Sequence, residues 1–202
     1  MNQPKTVFAV ASLSLLLLFA ASFAAAQNES RSQFEPNYGV TLQVLIGTNE
    51  AGPKSDIPQN LSDVSRSLRS AFPFTNYRLA STFLGRISNG GNFEYKSVSN
   101  ILGQESDAES QTFLEWTLGG FRDGASGLQA QTFRFGAKVP VRTGVFRDEG
   151  KTMPVVNYEP IGLNLSHVGM SQNIPTLLGT LNLPKTNGTL FLFITVTPAD
   201  AR

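Results

Sequence analysis

Acid–base and nucleophilic chemistry needs side chains that hold or move a proton, and this chain supplies few: a single His, His167, no Cys, and scattered carboxylates. A Ser-His-acid arrangement requires an oriented imidazole. His167 ends a predicted strand from Ile161 to Val168, is followed by Gly169, and has no G-x-S-x-G elbow to serve. It reads as a structural or solvated histidine. Without Cys, thiol chemistry and Cys-containing zinc sites are excluded, and one His is too few for a His-rich metal site. Glu94 and Glu115 both fall in predicted strands, where paired carboxylates could flank a glycosidic bond. Nothing in the sequence sets their separation, and each is more simply the outward polar residue of an amphipathic strand. Glu105, Asp107 and Glu109 alternate, but they lack the Gly and terminal Glu of an EF-hand loop, so a solvated loop is the better account. Gly90-Gly91 lacks the G-x-G-x-x-G spacing and precedes no helix, which leaves no nucleotide site. The expectation is a protein that is not an enzyme, with no catalytic, cofactor-binding or metal residues and no cofactor.

Aromatic residues are the remaining chemical resource. Trp116, Phe121, Phe133 and Phe135 crowd the second half of the chain. Such rings fill cores by default, and they also line ligand pockets and interfaces. The alternative to core packing is a concave patch around Trp116 that holds a glycan or small ligand in a secreted β-sandwich. Asn28, Asn60, Asn164 and Asn187 each open an N-x-S/T triplet. Asn60 falls in a predicted helix and Asn164 in a predicted strand, so these triplets are incidental.

The elements that would position these residues are predominantly strands. Val40, Leu42 and Val44 alternate with Thr41, Gln43 and Leu45 in a first strand, Val40 to Ile46. A helix follows: Asp56 is a plausible N-cap, Pro58 sits in the first turn, and Ile57, Leu61, Val64, Leu68 and Phe72 form one apolar stripe. Tyr77 to Ile87 and Phe93 to Val98 read as a hairpin around Asn89-Gly90-Gly91. Past the polar stretch Gly103 to Gln111, no helical period survives. Leu114 to Leu118, Leu128 to Val141 and Ile161 to Ser166 alternate, with turns expected over Gly119 to Gly127 and Phe146 to Lys151. Thr189 to Thr197 is apolar on both faces and should be a central strand covered on both sides. The fold class expected is α+β, a small β-α-β-β lobe over residues 39–101 followed by an antiparallel β-rich sheet or sandwich lobe over 112–198.

The N-terminus reads as an export signal. Lys5 gives the basic start, Val7 to Phe23 the apolar run, and Ala24-Ala25-Ala26 the small-residue cleavage site, making 1–26 a signal peptide and 27–38 a flexible spacer. An uncleaved anchor is the rival reading, because the run approaches the roughly 20 residues that span a bilayer. The polar flank Gln27-Asn28-Glu29-Ser30 favours cleavage. Lys5 is the only charge in the signal, so the 16 basic and 15 acidic residues of the chain balance after it. That balance carries no footprint for nucleic acid. An exported chain without Cys must be stabilised by burial and hydrogen bonding, which suits a bacterial periplasm, outer membrane or extracellular setting. Protein partners or self-association are expected, and outer-membrane association fits this address.

Four segments in order carry a family resemblance: Val139-Pro140-Val141-Arg142-Thr143-Gly144, Tyr158-Glu159-Pro160-Ile161-Gly162-Leu163-Asn164-Leu165, Ile174-Pro175-Thr176-Leu177-Leu178-Gly179, and Thr189 to Pro198. Together they resemble a degenerate and partial secretin core, the outer-membrane ring family of type II and type III secretion and type IV pilus systems. The β-α-β-β unit is similar in outline to the ring-building modules of that family. The span from Val141 to Tyr158 is short for paired membrane-crossing hairpins, whose strands take about 9 to 11 residues each, unless Leu114 to Phe135 serves instead. The resemblance implies an envelope protein acting through protein–protein association, a component or relative of a secretion or pilus assembly.

Overall fold

The computed structural model describes residues 37–50, 57–99, 111–125, 127–148, 151–184 and 186–199. The expected signal, the spacer up to residue 36, the Asp56 cap and the run Glu105, Asp107, Glu109 lie outside the described residues.

Two antiparallel sheets pack face to face. Strand β1, Asn37–Thr48, runs between β2, Asn76–Ser88, and the C-terminal strand Thr189–Pro198. The other side of that last strand takes Thr176–Asn182, completing a four-stranded first sheet. The second sheet opens with β3, Phe93–Ser99, beside β4, Thr112–Gly119. Next come the short β5, Arg122–Gly124, and two long strands, β6, Gly127–Asp148, and β7, Lys151–Met170. β4 and β5 share one edge of β6, and β7 lies along the other. In chain order the strands Thr176–Asn182 and Thr189–Pro198 are β8 and β9.

Alternation builds the core. Tyr38, Val40, Leu42, Val44 and Ile46 of β1 and Leu190, Leu192, Ile194 and Val196 of β9 point into the sandwich. They meet Leu114, Trp116 and Leu118 of β4 and Phe133, Phe135, Ala137 and Val139 of β6. Burying each large side chain contributes about 1.5–3 kcal/mol. β9 is the predicted central strand: Phe191 and Phe193 on its opposite face belong to a second cluster with Leu45, Leu61, Leu68 and Tyr77.

That second cluster is roofed by the helix. A 3-10 turn, Gln59–Leu61, leads into α1, Ser62–Ala71, so the helix proper is shorter than its apolar stripe, and its N-cap position is Leu61. Leu61 and Leu68 are buried beneath it. The Tyr77 hydroxyl shares its one hydrogen between the carbonyls of Leu68 at 3.0 Å and Phe72 at 3.3 Å, adding to the Phe72 N–H that already caps Leu68 C=O at 2.9 Å.

Three expectations change. The element order β-α-β-β is present, but the molecule is β-rich with one short helix, and β1 and β2 share their sheet with β8 and β9 while β3 joins β4. The physical reason is β9, whose two apolar faces require cover above and below and whose backbone groups, once buried, require a hydrogen-bonded neighbour on each side. Second, Asn89-Gly90-Gly91 does not close a hairpin; it carries the chain from one sheet to the other. Gly90, at φ 77°, donates its N–H to Phe121 C=O at 2.7 Å, and Phe121 N–H donates to Gly91 C=O at 3.1 Å. β3 crosses over because Phe93 and Tyr95 bury against Trp116 and Phe83, with Phe93 lying where any Cβ on Gly85 would sit, 2.2 Å from its ring. Third, the expected turn Phe146 to Lys151 is strand as far as Asp148 and again from Lys151.

Candidate functional site

The sequence candidates are dispersed. His167 is exposed at φ 57°, between the β6–β7 pairs Ala130–Val168 and Thr132–Ser166. Among the described residues no carboxylate forms an ion pair with it. Glu94 and Glu115 both lie on the outer face of the second sheet, where Glu94 is tied to Lys96 at 2.7 Å and both are exposed to solvent. The Lys96 ammonium is held above its ordinary range, first by that hydrogen bond and then by the charges of Glu94 and Glu115. Trp116 does not form a surface patch. It is 0% exposed, stacked between Phe93 at 4.6 Å and Phe133 at 6.4 Å, and Phe121, Phe133 and Phe135 are likewise buried. Core packing accounts for all four. Among the described residues no three His, Cys, Asp or Glu side chains gather as a metal site, and no helix is long and apolar enough to cross a membrane.

The prominent feature is one that alternation within 161–166 and 128–141 showed only in part. β4 accompanies β6 no further than Lys138, yet β6 and β7 pair on to Asp148 and Lys151. Val139 and Val141 still reach the core, but every β6 position from Arg142 to Arg147 is exposed. A two-stranded ribbon therefore stands free of the sandwich by roughly 20 Å, at about 3.3 Å per residue. A register shift between Arg142 and Gly144 marks its root, where the Thr143 hydroxyl donates to Val155 C=O at 3.4 Å.

The ribbon is apolar on both faces. Phe146, 55% exposed, stands opposite Met153, 50% exposed, and on the reverse face Val145, 62% exposed, stands opposite Pro154. An isolated two-stranded hairpin is marginal in water, and solvated apolar pairs on both of its faces point to a contact. The edges are less inviting. Pro154 on the ribbon, with Pro140 and Pro160 below its root, supplies no N–H, and proline is one of the devices that blunts an exposed edge against pairing with another chain. The faces, rather than the edges, carry the ribbon's exposed apolar side chains.

At the ribbon's base, on the outer face of the second sheet, lies an open trough of about 790 Å³ bounded by Phe113, Glu115, Lys138 and Tyr158. The rings of Phe113 and Tyr158 meet edge-on at 5.5 Å.

No family model matches this chain, and no curated protein matches it. Among solved structures it is similar to the type IV competence pilus secretin PilQ of V. cholerae, with 10% sequence identity and a TM-score of 0.38 over 90% of this chain. The chain spans 65% of the length of that secretin. The overlay is loose and does not place the chain in that family.

Proposed function

We propose that this is an exported bacterial envelope protein, without catalytic activity or cofactor, that works by protein–protein association through the β6–β7 ribbon. The observation that carries the reading is the free-standing ribbon with Phe146 and Met153 on one face and Val145 and Pro154 on the other. Export is supported by the signal pattern of residues 1–26. A place in, or descent from, a secretin-type secretion or pilus assembly is supported by the ordered segments from Val139 to Pro198.

The test is the mass of the protein by light scattering across a concentration series, after expression with its own signal. The expected result is a discrete assembly, and Phe146→Ser with Met153→Ser should dissolve it while leaving the melting temperature unchanged. A strict monomer at high concentration that binds no envelope component overturns the reading.

A further inference from the structure

We propose that the outer face of the second sheet binds an oligosaccharide bearing carboxylates, with one sugar ring seated over Gly136 and Gly162 against Tyr158 and Phe113. The inference does not depend on the ribbon's association. Strand register sets the site out in rows across β3, β4, β6 and β7. Gly136 faces Gly162, so neither strand places a side chain of its own at the centre of this row, and the Glu115 side chain from β4 leans over Gly136. The row on one side presents Arg134 and Asn164, and the row on the other presents Lys138 and Pro160 with Phe113 beside them. Tyr158, 42% exposed, and Phe113, 47% exposed, then wall the trough.

A gap two side chains wide, ringed by a guanidinium, an ammonium, an amide and a carboxylate with an aromatic wall, matches a pyranose. Its C–H face lies on the ring and its hydroxyls reach the polar groups. A peptide added as a strand is a poorer match, because β-augmentation draws on free main-chain groups and a sheet face has committed its own to the ladders. Charge sets the sugar class. Lys96 is engaged by Glu94, while Lys138 and Arg134 form no ion pair among the described residues and outnumber Glu115. The trough, lined by Phe113, Glu115, Gly136, Lys138 and Tyr158, has a volume of about 790 Å³, within the range of ligand sites, about 300–1,000 Å³; Gly162, Arg134 and Asn164 lie beyond its lining, along the sheet face where a chain would continue past the seated ring.

The experiment is saturation-transfer NMR and calorimetry with tetragalacturonate, hyaluronan tetrasaccharide and cellotetraose. The expected result is binding of at least one uronate tetramer, at least tenfold weaker binding of cellotetraose, and at least tenfold loss in both Tyr158→Ala and Gly136→Val. Gly136→Val fills the floor without threatening the fold, since a Cβ there meets only the Glu115 side chain at 3.4 Å. Leu84→Ser, on the first sheet, should bind as the parent does. Failure of both uronate tetramers, equal binding of cellotetraose, or unchanged binding by a folded Gly136→Val overturns the assignment.

Discussion

Tyr38 sits in the core at the start of β1 and donates its hydroxyl to Asp123 on β5, so one side chain ties the first sheet to the second. Asn89 and Asn92 reinforce that corner by accepting the N–H groups of Asp123 at 3.0 Å and Gly120 at 2.8 Å. The Asp123 hydrogen bond, then burial, then the carboxylate's charge push the Tyr38 hydroxyl from its ordinary 10.0 up to about 12. A group whose folded pKa is raised contributes stability that is whole below its unfolded pKa and is lost as pH rises through the folded one. Stability to urea should therefore fall between about pH 10 and about pH 12, and Tyr38→Phe should remove that share of the decline while costing about 1.5–3 kcal/mol at neutral pH, the range for a hydrogen bond to a charged group. A decline identical in parent and variant would show that Tyr38 does not carry it. Trp116 makes the other prediction at this scale: its fluorescence should resist acrylamide, and Trp116→Ala should cost about 3–5 kcal/mol in the same denaturation assay. The sequence could say that Trp116 is apolar and alternates with Glu115, but not whether its face was core or cleft, because both demand the same residue types.

At the scale of elements, α1 is held by what it covers rather than by its own ends. It has no side-chain N-cap bond, and its C-terminal carbonyls are met by the Tyr77 hydroxyl, over whose ring Arg69 lies at 5.8 Å. Burial raises the Tyr77 pKa, an effect opposed by Arg69 and by a backbone hydrogen bond. Tyr77→Phe should cost about 0.5–1.5 kcal/mol, since it removes one shared hydroxyl hydrogen bond while Leu68 C=O keeps the Phe72 N–H, and hydrogen exchange should show the loss concentrated in α1 and β2. The helix was legible because Leu61, Val64, Leu68 and Phe72 keep its period. The ribbon was not. Its strands, 142–148 and 151–157, include Gly144, Pro154 and polar positions that imitate a turn, and only pairing across β6 and β7 shows them to be extended. Replacing the ribbon beyond Arg142 and Val156 with a short turn should leave the melting temperature within a few degrees, because its side chains add little to the core. A large fall would assign it a structural role instead.

For the whole molecule, the strand order β2-β1-β9-β8 makes the last strand the partner of the first. Thr189 to Pro198 brings four apolar residues to the sandwich and two Phe to the helix-covered face. A chain ending before Thr189 should accordingly fail to fold, as judged by loss of the near-ultraviolet dichroism of Trp116. Residues 39–101 alone should not fold either, since β1 would lose β9, and β3 would lose β4. The sequence by itself determined which residues could form strands and a helix, that β9 must be central, and that Cys-dependent chemistry is excluded, because these follow from residue type and from periods of 2 and 3.6 along the chain. Only the tertiary structure decided which strands are neighbours, that the turn after β2 crosses between sheets, and that β6 and β7 outrun their sheet, because pairing between residues far apart in sequence depends on how complementary faces meet in space.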